Sequence, residues 1–184
     1  MMFEAQTEWI APDNFPDLSG YKLISIDLET KDPDLKSKGS GAVIGNGEII
    51  GVAVAVDGWC KYYPFGHEGG GNLDKKRILE WVKDVCATKA IKIFHNAMYD
   101  VCWLRSYGIK INGHIVDTMV MASLVDENRM RYTLNALSWE YLGERKSEAT
   151  LFEIAKNWGI DAKAELYKLP AIYVGEYAEK DAYL

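Results

Sequence analysis

Ile24-Ser25-Ile26-Asp27-Leu28-Glu29-Thr30 is the stretch whose reading decides the fold. It ends a run of aliphatic and β-branched residues, Tyr21 to Leu28, that predicts a strand, yet it carries two carboxylates at Asp27 and Glu29. Alternation along a strand turns residues i and i+2 to the same face. Two acids on one face of an otherwise apolar strand repel each other, and burying them uncompensated is costly. A divalent cation with oxygen ligands would supply the counter-charge. A solvated pair at a strand edge is the plainer reading of a lone D-x-E, so the rest of the chain must decide.

Outward from this strand, Ile49–Val56 and Trp59–Phe65 are β-rich, and Asp57-Gly58 between them is a hairpin signal. With the opening strand they predict a three-strand antiparallel meander. The long Lys-, Gly- and Ser-containing connection from Lys31 to Gly47 predicts a functional or mobile loop. Leu73–Lys89 carries Ile78, Leu79, Val82 and Val85 at helical spacing. A short strand at Ile91–His95 runs into a helix from Asn96, and Ile115-Val116-Asp117 into a helix over 118–125. Further helices are expected at Thr133–Leu142, Leu151–Trp158, Ala162–Lys168 and Tyr173–Leu184. The result is an α/β fold, a mixed five-stranded sheet with an antiparallel edge and flanking helices. Residues 1–20 are expected as a loosely ordered leader before one domain over 21–184.

Composition narrows the class. The chain has 184 residues, enough for one sizeable core, with ordinary apolar and charged fractions. Cys60, Cys86 and Cys102 have no metal-ligand spacing and read as reduced thiols of an intracellular protein. No basic-then-apolar leader is present, and the apolar run Ile49–Val56 is too short to span a bilayer. A soluble, cytoplasmic protein is expected. The net charge of −6 opposes a generic nucleic-acid binder, unless several acids are metal ligands. Lys31, Lys36 and Lys38 follow the opening strand, where a phosphate backbone could pass.

Two further acids fall in apolar surroundings. Asp100 lies in the first turns of the helix after Ile91–His95, where the helix dipole favours a carboxylate on its own account. Asp181 follows Tyr177 by four residues on the last helix, so phenol and carboxylate share a face. Asn96 reads equally as an N-cap or as a substrate contact. If Asp27, Glu29, Asp100 and Asp181 converge, their oxygens suit Mg²⁺ or Mn²⁺ rather than zinc.

These segments resemble the DEDD exonuclease superfamily, most closely the proofreading 3′-5′ exonuclease domain of family A (polymerase-I-like) DNA polymerases of bacteriophages. Asp27-Leu28-Glu29 with Thr30 matches the D-x-E motif, Asn96 to Asp100 matches N-x-x-x-D within FHNAMYDVCWL, and Tyr177 to Asp181 matches Y-x-x-x-D. Glu176 stands where another branch has His, so the chain is similar to the tyrosine type. The resemblance covers Tyr21 to Leu184 and implies an RNase H-like fold. It implies Asp27, Glu29, Asp100 and Asp181 as ligands of two divalent cations, with Asp27 bridging them. It further implies that Tyr177 orients the attacking water, that Thr30 and Asn96 touch the terminal nucleotide, and that 5′-mononucleotides leave a single-stranded or frayed DNA 3′ end. Asp117 matches an acidic position that the family does not use as a ligand. His95 reads as a satisfied core or supporting residue, and His67 and His114 as loop residues. Such domains continue into a polymerase, and this chain stops at Leu184. It is therefore expected as a fragment preceding a polymerase domain or as a free-standing exonuclease, in the host cytoplasm if of phage origin. The alternatives are a ribonuclease of the same superfamily and an inactive module that binds nucleic-acid ends.

Overall fold

The computed structural model describes residues 7–145 and 148–184. In chain order it contains β1 (Leu23–Lys31), α1 (Leu35–Lys38), α2 (Gly41–Ile44), β2 (Glu48–Val56), β3 (Trp59–Pro64), α3 (Lys75–Ala87), β4 (Ile91–Phe94), α4 (Ala97–Ser106), β5 (Ile115–Asp117), α5 (Thr118–Val125), α6 (Leu134–Leu142), α7 (Ala149–Trp158) and α8 (Gly175–Tyr183). Two short 3₁₀ turns, Leu166–Lys168 and Ala171–Tyr173, precede α8.

The strands form one sheet in the order β3-β2-β1-β4-β5. β1 pairs antiparallel with β2, and β2 with β3, which is the expected meander. β1 pairs in parallel with β4, and β4 with β5. The hairpin at Asp57-Gly58 closes as its sequence predicts, with Gly58 at φ 75°, where a side chain would be strained. The connection from Lys31 to Gly47 is not all loop, since it holds α1 and α2. The expected helix over Ala162–Lys168 reduces to a turn and the first 3₁₀ segment.

The two sheet faces have separate cores. Ile24, Ile26, Leu28, Val52, Val54 and Tyr63 pack with Ile78, Val82 and Val85 of α3 and Leu104 of α4. On the other face Ala53, Ala55 and Tyr62 pack with Leu151 and Ala155 of α7 and with Val174, Ala178 and Ala182 at α8. Alternation along β1 sends Ile24, Ile26 and Leu28 to the first face, so Asp27 and Glu29 turn to the α8 face.

The segment 7–20 is not loose against the body. Trp9 and Leu18 are buried, Phe15 stacks on Tyr63 at 5.2 Å between ring centroids, and the Trp81 indole donates to the Pro16 carbonyl at 2.9 Å. Lacking period, this segment could not be read as an element, yet its aromatic residues anchor it. Residues 1–6 of the expected leader lie outside those described. Among the described residues no helix is long and apolar enough to cross a membrane.

Candidate active site

The site is built around the C-terminal half of β1. A bulge in its pairing with β2 opposes Glu29 to Gly51 and Thr30 to Ile49, leaving Ile50 as the extra residue. Bulges of this kind re-aim side chains beside functional clefts. Opposite Glu29, Gly51 has no side chain because the Tyr62 phenol fills the space, and a Cβ there would lie 2.1 Å from its hydroxyl oxygen.

α8 crosses the same face and brings in Asp181. Asp27, Glu29 and Asp181 each offer a carboxylate oxygen, and these oxygens all lie within 4.8 Å of one another. All three residues are half-buried. Three like charges this close are unfavourable without a cation or bound protons, and an all-oxygen set suits a hard divalent ion. Tyr177, one helical turn before Asp181, reaches the same group. Burial first, then the charges of Glu29, Asp181 and Asp27 and a hydrogen bond with Asp181, raise its phenol far above the usual range. It is protonated at every working pH.

Asp100 approaches through the gap between β1 and β4. β1 pairs with β4 only from Leu23 to Ser25, so further along, the Leu28 N–H has no strand partner there. It donates instead to Asp100 Oδ1 at 3.1 Å. Asp100 therefore abuts the backbone between Asp27 and Glu29, but it is not one of the three acids grouped within 4.8 Å. Burial pushes its carboxyl up to about 7, against the lowering effect of the Leu28 N–H.

Asn96 occupies the N-cap position of α4, as one of its two readings had it, but with φ 68° and no side-chain cap hydrogen bond. Asp117 caps instead. One of its oxygens accepts from the N–H groups of Asn96 (3.1 Å), Met119 (2.9 Å) and Val120 (3.3 Å), and the other from Ala97 (2.8 Å). A single carboxylate thus closes the N-termini of both α4 and α5, which accounts for a fifth acid outside the cluster. The Asn96 side chain is left exposed. The Thr30 hydroxyl lies 2.7 Å from the Tyr99 hydroxyl, which in turn donates to Asp32 at 3.1 Å.

His95 Nδ1 lies 2.9 Å from the Thr118 hydroxyl, which itself donates to the Phe94 carbonyl. It is satisfied, as expected. His67 and His114 both lie in connections, as expected; His114 is exposed, whereas His67 is buried, with Nδ1 2.9 Å from the Leu169 carbonyl and Nε2 2.6 Å from the Tyr62 hydroxyl. Because a carbonyl only accepts, Nδ1 carries the proton and Nε2 accepts from Tyr62. Burial lowers the His67 pKa to about 4, keeping this arrangement neutral. Lys31 and Lys38, expected beside a passing phosphate backbone, are paired with Glu68 (2.7 Å) and Asp34 (2.9 Å).

Comparison with known proteins agrees with this geometry. The sequence profile of a 3′-5′ exonuclease family matches residues 5–184. A DNA-directed DNA polymerase of Pseudomonas phage M6 is 35% identical over 190 residues, covering 97% of this chain and 28% of the relative. The DNA polymerase DpoZ of Salmonella phage PMBT28 is 28% identical over 177 residues, covering 92% and 26%. The chain thus spans little more than a quarter of these relatives. Among solved structures, Brucella melitensis NrnC with bound Mg²⁺ superposes with a TM-score of 0.57 at 18% identity, covering 94% of this chain and 72% of that one. Escherichia coli RNase D gives a TM-score of 0.56 at 15% identity, covering 90% and 37%. At such identities these two share the fold, an RNase H-like sheet with flanking helices.

Proposed function

This chain belongs to the 3′-5′ exonuclease domain family of family A DNA polymerases, and we propose that it removes nucleotides from a single-stranded or frayed DNA 3′ end by metal-dependent hydrolysis, as the proofreading part of a polymerase in the host cytoplasm. The observation that carries the reading is the convergence of Asp27, Glu29 and Asp181 within 4.8 Å beside the half-buried Tyr177.

Asp27, Glu29 and Asp181 would hold the cations, with Asp100 completing the set from the gap between β1 and β4. When bound, two Mg²⁺ or Mn²⁺ ions would generate a hydroxide-like nucleophile from water and offset charge on the leaving 3′ oxygen. Tyr177 donates its proton to Asp181, so its oxygen is left as an acceptor that can orient a water toward the terminal phosphodiester. The protonated phenol adds no further negative charge beside a polyanionic substrate. Thr30, its hydroxyl fixed by Tyr99, and the exposed amide of Asn96 would contact the terminal nucleotide. Clustered acids repel a phosphate backbone unless cations intervene, which weighs against a module that only binds ends.

Side-by-side digestion of a DNA and an RNA oligomer of the same sequence, with Mg²⁺ or Mn²⁺, tests the proposal. DNA is expected to shorten from its 3′ end with 5′-mononucleotides released, and Asp27→Ala or excess chelator is expected to abolish this. Undiminished degradation in chelator would overturn the metal assignment. Preferential digestion of RNA would move the reading to a ribonuclease of the same superfamily.

A further inference from the structure

We infer that Glu179 is a positioning residue, whose carboxylate docks α8 on the outer edge of β3 and so sets where Tyr177 and Asp181 stand against Asp27 and Glu29. The inference rests on the proposed exonuclease site for its meaning, but on separate contacts for its evidence. β3 ends the sheet, and its Tyr62 N–H points away from β2. An outward N–H on an edge strand ordinarily meets water or another chain. Here Glu179 Oε1 accepts it at 3.1 Å, and the same oxygen accepts the Trp9 indole N–H at 2.8 Å. The Glu179 backbone carbonyl also accepts from Cys60 Sγ at 3.0 Å, and Lys61 Nζ stands 3.9 Å from the carboxylate.

The contacts of residues 7–9 continue along the helix. Thr7 donates to Glu176 at 2.9 Å, and the Trp9 ring lies so close to Gly175 that a Cβ there would sit 2.0 Å from Cε2. Glu179 falls midway between Tyr177 and Asp181. Its carboxylate therefore fixes the rotation and depth of the one helical turn that carries both. Hydrogen bonds to a half-buried carboxylate are the stronger kind, and a displacement of about 1 Å can cost on the order of 10²-fold in rate.

The test compares Glu179→Ala, Glu179→Gln and Glu179→Asp with the unaltered chain. Mn²⁺ affinity, kcat and KM on a single-stranded DNA oligomer, and exchange of the Tyr62 amide are measured. Glu179→Ala is expected to lose about tenfold or more in both Mn²⁺ affinity and kcat, with KM changed less than about threefold. The Tyr62 amide should then lose its protection. Gln keeps an oxygen that can accept both donors and should restore each readout to within about threefold. Should the alanine variant not fold, Glu179→Asp decides. One methylene shorter, it must draw α8 inward or release a donor, and should lose Mn²⁺ affinity and kcat together. A folded alanine or aspartate variant with unaltered Mn²⁺ affinity and kcat would overturn the inference, as would a glutamine variant no better than alanine. Inactivity of the unaltered chain on DNA would instead undo the exonuclease reading, while the Mn²⁺ and amide readouts would still judge the docking contact.

Discussion

Asp117→Ala should destabilise the protein by an amount that can be worked from its hydrogen bonds. The carboxylate accepts four N–H groups, two at the start of α4 and two at the start of α5. Losing one N-cap costs roughly 0.5–2 kcal/mol, and losing a negative charge at a helix N-terminus about 0.3–1 kcal/mol more. Two helices share this side chain, so roughly 2–4 kcal/mol should be lost. In a domain of this size that corresponds to a fall in Tm of about 5–15 °C. Urea unfolding followed by circular dichroism would read the change as a lower midpoint at constant m. Asp117→Asn retains one acceptor oxygen and should lose about half as much. A loss below about 0.5 kcal/mol for the alanine variant, or equal losses for both variants, would refute the shared-cap account. Because α4 carries Asp100 and is capped at Asn96, the alanine variant should also bind Mn²⁺ more weakly, readable in the same preparation.

Tyr177→Phe should leave Mn²⁺ affinity nearly unchanged while lowering kcat by on the order of 10²-fold, the cost of an unoriented water; equal kcat in single-turnover digestion would remove Tyr177 from the mechanism. His67 has a folded pKa of about 4 against 6.5 when unfolded, so it binds fewer protons in the folded state. Its contribution is whole above pH 6.5, is lost as pH falls from 6.5 toward 4, and amounts to roughly 3 kcal/mol. Unfolding midpoints for the wild type and His67→Asn should therefore converge as pH falls through that window, and parallel profiles would contradict it. Gly51→Ala places a methyl 2.1 Å from the Tyr62 hydroxyl, which His67 holds, and should cost about 1–3 kcal/mol. The same variant should weaken Mn²⁺ binding, since Gly51 opposes Glu29; an unchanged Tm would count against the tight packing there.

The strands, the antiparallel meander and the shared face of Asp27 and Glu29 were legible in the sequence because strand period and turn chemistry are local. Asp181 beside Tyr177 was legible as a helical spacing, while its approach to β1 came from the resemblance rather than from any pattern. Asn96 was legible as the N-cap position, but its left-handed backbone, and the capping bonds supplied by Asp117 from 21 residues away, are tertiary facts. His67 was legible as a loop residue, but its burial against Tyr62 and Leu169 is a tertiary fact. Trp9 and Glu179 lie 170 residues apart, so no local period links them.

The early separation of β4 from β1 has a consequence for how such a protein can change. Phe94 is the last residue of β4, and the left-handed turn at Asn96 diverts the chain from the sheet within two residues. Were the backbone to continue straight for another rung, it would take up the Leu28 amide in a ladder bond and push Asp100 out of the gap. The sheet would be more regular and the gap would close. An unfinished seam between two neighbouring strands is thus the opening through which Asp100 reaches the backbone between Asp27 and Glu29, and substitutions that favour a longer β4 should trade that access for rigidity.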